Sequence, residues 1–157
     1  MDIAEFLAAQ LAEDETAIKA MGVEGAGRWW VGQRFDGSLD PEGSTVFVDV
    51  RRSDGLGYIH LGTPGMFAGP TAIHIARHDP ARVLREVAAK RRVLARHRPA
   101  TGKDLGWSSY VGACFGCGTY GEFADARTPD INDCPELRDL AAPYAERPGY
   151  KPAWRVA

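Results

Sequence analysis

"ACFGCGTYGE", residues 113–122, sets two of the chain's three cysteines three positions apart in a glycine-rich run. In a C-x-x-C knuckle both thiolates grip one metal ion while the backbone between them turns sharply, and Gly116 and Gly118 are residues that permit such a turn. A thioredoxin-type redox pair needs its first cysteine at a helix N-terminus, and "CGTYG" opens a helix poorly. Cysteines that merely fill space as small hydrophobes are the third reading. The metal reading also accounts for the surroundings. Residues 99–133 have little periodicity and are too long for an idle connection in a compact domain, so something must order them.

Working outward, Cys134 stands directly before Pro135 in "DCPELRDLAAPYA", at the N-cap position of a short helix, where helix amides favour a thiolate over a thiol. Three sulfurs leave one position of a tetrahedral zinc shell, for which histidine is the usual donor. His97 is the first choice. It closes a helix whose C-terminal dipole favours a cation, and it precedes Cys114 by the 17 positions that separate Cys117 from Cys134. His60, His74, His78, Asp125 and Asp133 are the other available donors. Four protein ligands make a closed site, hence structural zinc that orders the C-terminal part of the chain.

The rest of the chain supplies a body for that lobe. Ile3, Phe6, Leu7, Leu11, Ile18 and Met21 fall at helical spacing and Gly22 follows them, which predicts a helix over 3–21. "GRWWVGQRF", "STVFVDVR" and "LGYIHLG" are β-rich runs separated by "DGSLDPEG" and "SDG", turn chemistry that predicts a three-stranded antiparallel meander. A short helix over 71–77 follows. The pair Asp79-Pro80 then starts a longer helix over 80–98, with the carboxylate capping free amides and proline at the first helical position. "ERPGYKPAWRVA" reads as an extended aromatic tail lying against the body.

"HIARHDPARVLREVAAKRRVL" (residues 74–94), the knuckle and "CPELRDLAAPYAERPGYKPAW" (residues 134–154) resemble the actinobacterial and actinophage proteins grouped as domain of unknown function 6221. The knuckle and the cysteine-proline pair match that family's pattern at Cys114, Cys117 and Cys134. The resemblance implies a small protein of actinomycetes or their phages and carries over no activity.

Other features of the sequence bear on chemistry. "HIARH" has the H-x-x-x-H spacing, but Ile75 stands where a metalloprotease needs glutamate, and Pro80 disfavours helix at Asp79, which argues against His74 and His78 facing the same way. Arg82, Arg85, Arg92 and Arg96 gather on one side of the 80–98 helix and form a possible phosphate-tracking face. Such a face is more often simply solvated. Val83, Leu84, Val87, Ala88, Leu94 and Ala95 make its buried side, with Arg91 among them. Asp14 sits in the apolar stripe of the first helix, so Asp14 and Arg91 are expected to form a structural ion pair. No nucleophile with a base and an orienting group can be assembled, and no phosphate loop occurs. Trp29, Trp30, Trp107 and Trp154 read as core or tail anchors.

With 157 residues, 45% hydrophobic and 25% charged, the chain suits one soluble domain, and a formal charge of -2 gives no net drive toward nucleic acid. The acidic, amphipathic start "MDIAEFLAAQLAEDE" and the lack of a long apolar run predict a cytoplasmic protein without membrane contact. The expectation is an α+β fold with two or three helices packed on a small antiparallel meander, divided as a body over 1–98 and a zinc-knuckle lobe with its tail over 99–157. No catalytic residue is assigned. The expected role is binding a protein partner, with nucleic-acid binding through the 80–98 helix as the alternative.

Overall fold

The computed structural model describes residues 1–20, 29–32, 46–52, 55–61, 69–104, 110–122 and 124–156. Met21, Gly22 and Trp107, singled out above, lie outside the described residues. The architecture is α+β. In chain order it comprises α1 (Ile3–Ala20), β1 (Trp29–Val31), β2 (Val46–Arg52), β3 (Gly55–Leu61), α2 (Gly69–Arg77), α3 (Pro80–Arg96), β4 (Thr119–Tyr120), β5 (Asp125–Ala126) and α4 (Pro135–Ala141), with short 3-10 turns in the C-terminal part. Two compact units result: Glu15–Glu86, and Met1–Asp14 together with Val87–Ala157.

The Glu15–Glu86 unit holds the meander. β1, β2 and β3 lie in sequence order and pair antiparallel, with Trp30 opposite Phe47, Val46 opposite Leu61, and Arg52 opposite Gly55 at the hairpin end. The rings of Trp30 and Phe47 stack with centroids 4.2 Å apart, a cross-strand aromatic pair of the kind that fixes register. A Cβ at Gly32 would lie 2.5 Å from the Phe47 ring, so glycine there leaves that ring its place in the stack. α2 packs on β1 and β2 and buries Ala72. α3 starts as its sequence dictates: Asp79 Oδ1 accepts the Arg82 amide at 2.6 Å, and Pro80 occupies the first helical position.

In the other unit the described residues form a large core. Ile3, Phe6 and Leu7 from α1 pack with Cys114, Ile131, Cys134, Leu137, Ala141, Tyr144 and Trp154. The apolar stripe of α1 therefore forms as its spacing predicts, with Leu11 and Gln10 buried alongside it. Phe6 meets Tyr144, Tyr150 and Trp154 edge-on or tilted, at centroid distances of 6.5, 6.0 and 5.3 Å. Burying each such side chain contributes about 2–3 kcal/mol, and the aromatic tail is thereby drawn into the core. Trp154 is 1% exposed and sits in a 3-10 turn, Pro152–Trp154, so the tail is turned rather than extended at its anchor.

One side chain ties three segments of this core together. Asn132 Oδ1 accepts the Ile3 amide at 3.0 Å and the Trp154 indole N–H at 3.1 Å, while its amide nitrogen donates to Asp130 Oδ1 at 2.8 Å. The chain's start, its tail and the turn before α4 are held at one point.

The buried side of α3 differs from the expected one. Val87 is buried and Val83, Leu84 and Leu94 are half-buried, but Ala88, Ala95 and Arg91 are exposed. The apolar arc is narrower than an ideal helical layout suggests, and Arg91 lies outside it. Asp14, half-buried, accepts a hydrogen bond from the Tyr144 hydroxyl at 2.6 Å.

Candidate metal centre

The segment after α3 is held by a small network of main-chain hydrogen bonds. The Ala100 amide donates to Ala113 O at 2.7 Å, the Phe115 amide to Arg98 O at 3.0 Å, and Pro99 bridges to Cys114. On its other side, the Cys114 amide donates to Thr128 O at 2.9 Å and the Ile131 amide to Gly112 O at 2.8 Å. Residues 112–115 thus lie between the exit of α3 and the approach to α4. β4 and β5 form a hairpin, Thr119 opposite Ala126, that returns the chain for the second contact. This arrangement brings His97, the knuckle and Cys134 to one place.

His97 continues the hydrogen-bond ladder of α3, its amide donating to Val93 O at 2.9 Å, and so stands in the last turn of that helix. α3 ends at Arg96, two residues earlier than its sequence suggests, as Pro99 forecloses continuation. Cys114 caps and Cys117 ends a 3-10 turn, Phe115–Cys117, followed by Gly118 at φ 71°, a left-handed conformation that favours glycine. Gly116 has a different reason to be glycine. A Cβ there would lie 2.7 Å from Arg96 O and 2.8 Å from the His97 ring, so its absence allows the knuckle to close on the histidine. Cys134 is the N-cap of α4, with Pro135 at the first helical position.

The four donor atoms lie within 4.8 Å of one another and can hold a metal ion. His97 Nδ1 stands 3.4 Å from Cys114 Sγ, 3.8 Å from Cys117 Sγ and 3.4 Å from Cys134 Sγ, and the Cys117 and Cys134 sulfurs are 3.6 Å apart. A tetrahedron with metal–sulfur arms of about 2.3 Å and a metal–nitrogen arm of about 2.0 Å has edges of roughly 3.5–3.8 Å. These four edges match such a shell closely, and the two remaining ones, from Cys114 Sγ to the other sulfurs, are no longer than 4.8 Å. All three cysteines are free thiols, so no disulfide competes for the sulfurs.

Electrostatics at the site correct one expectation. The helix start was expected to favour a thiolate at Cys134, but burial pushes both the Cys134 and Cys117 thiols up, outweighing the Leu137 amide that opposes it at Cys134. A cation bound here would turn these sulfurs into thiolates, displacing their protons as it binds.

Glu136 is a fifth group at the cluster that the sequence reading missed. Its Oε2 lies 3.5 Å from Cys134 Sγ, 3.6 Å from Cys117 Sγ and 3.8 Å from His97 Nδ1. A hydrogen bond from its own amide, followed by the neighbouring Cys134 thiol and His97, holds its carboxyl below the usual range. The clue was present in "CPE", which places a carboxylate in the first turn of a helix capped by a ligand.

The other candidate donors have different partners. Asp125 accepts the Tyr110 hydroxyl at 2.8 Å, and Asp133 pairs with Arg138. His78 Nδ1 bonds His74 O at 2.8 Å with the two rings 4.3 Å apart, so these histidines do face the same way, contrary to the expectation from Pro80. α2 persists to Arg77 because its residues precede the proline's neighbour and escape the restriction. The His60 side chain lies outside what the structure describes. Arg85, Arg92 and Arg96 are exposed on α3, whereas Arg82 is tied to Glu86 by a 2.7 Å pair. No described helix is long and apolar enough to cross a membrane.

No curated protein and no solved structure matches the chain. The sequence model of the family of unknown function DUF6221 matches residues 1–156, which span the knuckle, Cys134 and the core that surrounds them. The chain belongs to that family.

Proposed function

We propose that His97, Cys114, Cys117 and Cys134 hold one structural zinc ion, and that the protein is a small zinc-stabilised binding or accessory protein that engages a protein partner. The observation that carries the zinc reading is the spacing of the four donors, which fits a three-sulfur, one-nitrogen shell with no position left for substrate. Sulfur-rich tetrahedral donor sets suit zinc over magnesium, calcium or manganese, which prefer oxygen. Binding rather than catalysis suits a closed site, and the actinobacterial or phage setting rests on the resemblance drawn from the sequence.

Exposed apolar side chains on the same lobe support a protein partner. Val111 is 68% exposed, Tyr120 55% and Phe115, inside the knuckle itself, 39%. The Arg98 guanidinium lies over the Phe115 ring at 4.4 Å, a combination of aromatic and arginine that is enriched at protein interfaces. A photo-crosslinking residue at position 115 tests this. Protein adducts lost when Cys114 is replaced by serine support the reading, and nucleic-acid adducts contradict it.

A nucleic-acid-binding accessory role is the second reading, favoured by the exposure of Arg85, Arg92 and Arg96 on α3. Its signature is an affinity for DNA or RNA that falls steeply with salt and is abolished by Arg85→Ala with Arg92→Ala.

A further inference from the structure

We propose that Glu136 is a transient donor of the metal centre, standing outside its solvent-facing side, and that the ion enters and leaves the site through this carboxylate. The inference rests on the metal reading above and adds a route to it. Three of the four donors, His97 Nδ1, Cys117 Sγ and Cys134 Sγ, form one triangular face, and Glu136 Oε2 lies 3.8, 3.6 and 3.5 Å from its corners. An atom at one edge length from all three corners of a tetrahedral face sits either at the fourth corner or at its mirror image through that face. Cys114 Sγ takes the fourth corner, 3.4 Å from His97 Nδ1. Glu136 Oε2 therefore sits at the mirror position, outside the face opposite Cys114.

Burial gives that geometry a direction. Cys114 is 2% exposed and Cys134 is fully buried, so the inner side of the cluster is core. The Glu136 side chain is 51% exposed and that of His97 12%. An ion arriving from solvent meets the carboxylate first, then the face of His97, Cys117 and Cys134, and last Cys114. Carboxylate oxygen binds divalent ions at about 2.0–2.2 Å, so this side chain can hold an ion at the mouth of the face before the four inner donors close on it. Once Cys114 completes the shell, three thiolates already exceed the charge of the dication, and a fourth anion at edge distance is repelled. Glu136 is half-exposed and free to swing away. A donor that binds during entry and is released at the end speeds loading and unloading without changing the final shell.

The experiment is a stopped-flow measurement of Co(II) and Zn(II) loading of the full chain, and of metal release to a chelator, for wild type, Glu136→Gln and Glu136→Asp, at low and high salt. Both the loading and the release rate of Glu136→Gln are expected to fall together by roughly tenfold, leaving affinity and the charge-transfer bands of the loaded Co(II) form unchanged, with Glu136→Asp recovering part of the loss. Simple attraction by a surface charge would instead slow loading, speed release and vanish at high salt, and that pattern overturns the proposal. Rates for Glu136→Gln equal to wild type also overturn it, while the four-donor centre stands if the wild-type protein loads one ion. A wild-type chain that binds no metal overturns both.

Discussion

The Tyr144 hydroxyl donates to Asp14 Oδ2 at 2.6 Å, joining α1 to the turn after α4 across 130 residues of sequence. Tyr144 is 6% exposed and the Lys90 ammonium lies 5.3 Å from its ring centroid, so one buried phenol gathers an acid, a base and the Phe6 cluster. Tyr144→Phe removes the donor and little else. Urea denaturation is expected to show a loss of about 1.5–3 kcal/mol, the range for hydrogen bonds to charged groups.

The same pair sets a pH dependence. Burial, reinforced by the bond to Asp14, holds the Tyr144 phenol well above its ordinary value of about 10. The folded state thus keeps a proton that the unfolded chain releases. Its contribution is complete below the unfolded value and declines as pH rises beyond it. Wild type should lose stability more steeply than Tyr144→Phe from about pH 9.5 upward. Parallel curves for the two proteins would contradict this.

Asp14 and Arg91 remain a proposed ion pair, now with Arg91 exposed on α3. Solvent screening limits its worth, so a double-mutant cycle should give a coupling of about 0.2–1 kcal/mol that shrinks with salt. No coupling at low salt removes the pair from the account.

Gly116→Ala tests the approach of the knuckle to the histidine. The added methyl meets Arg96 O and the His97 ring at 2.7 and 2.8 Å, distances that real Cβ contacts do not tolerate. The imidazole must move, and metal affinity is expected to fall by roughly 10- to 100-fold, as for other losses of ligand orientation. Competition with a chromophoric chelator measures it.

Asn132→Ala leaves the Ile3 amide and the Trp154 indole N–H without the oxygen they share. Two donors losing a partner in and around the core cost roughly 2–4 kcal/mol together. Indole fluorescence should report a loosened tail before global unfolding; a tail as well ordered as wild type would show that Asn132 is dispensable.

Local pattern carried much of this architecture. Asp79-Pro80 and Cys134-Pro135 mark the starts of α3 and α4, and the stripe from Ile3 to Leu11 marks the buried face of α1. The β-rich runs pair as a meander. The four clustered donors are those that residue chemistry selected, because a knuckle, a capping cysteine and a helix-ending histidine each leave a local trace. What stayed hidden was long-range or dependent on competing effects. Nothing near Asp14 announces Tyr144, and nothing near Asn132 announces Ile3 or Trp154. The helix terminus at Cys134 suggested a lowered thiol, while burial, which depends on the whole core, raised it. Arg91 was placed by helical periodicity, but the width of the buried arc is set by what packs against the helix.

The most direct test is X-ray absorption at the metal edge of the purified full chain, paired with elemental analysis. One zinc per chain is expected, with three sulfurs at about 2.3 Å and one nitrogen at about 2.0 Å, and Cys114→Ser, Cys117→Ser, Cys134→Ser and His97→Ala should each disrupt that shell. A protein that carries no stoichiometric metal, or a metal bound by oxygen and nitrogen alone, would contradict the account.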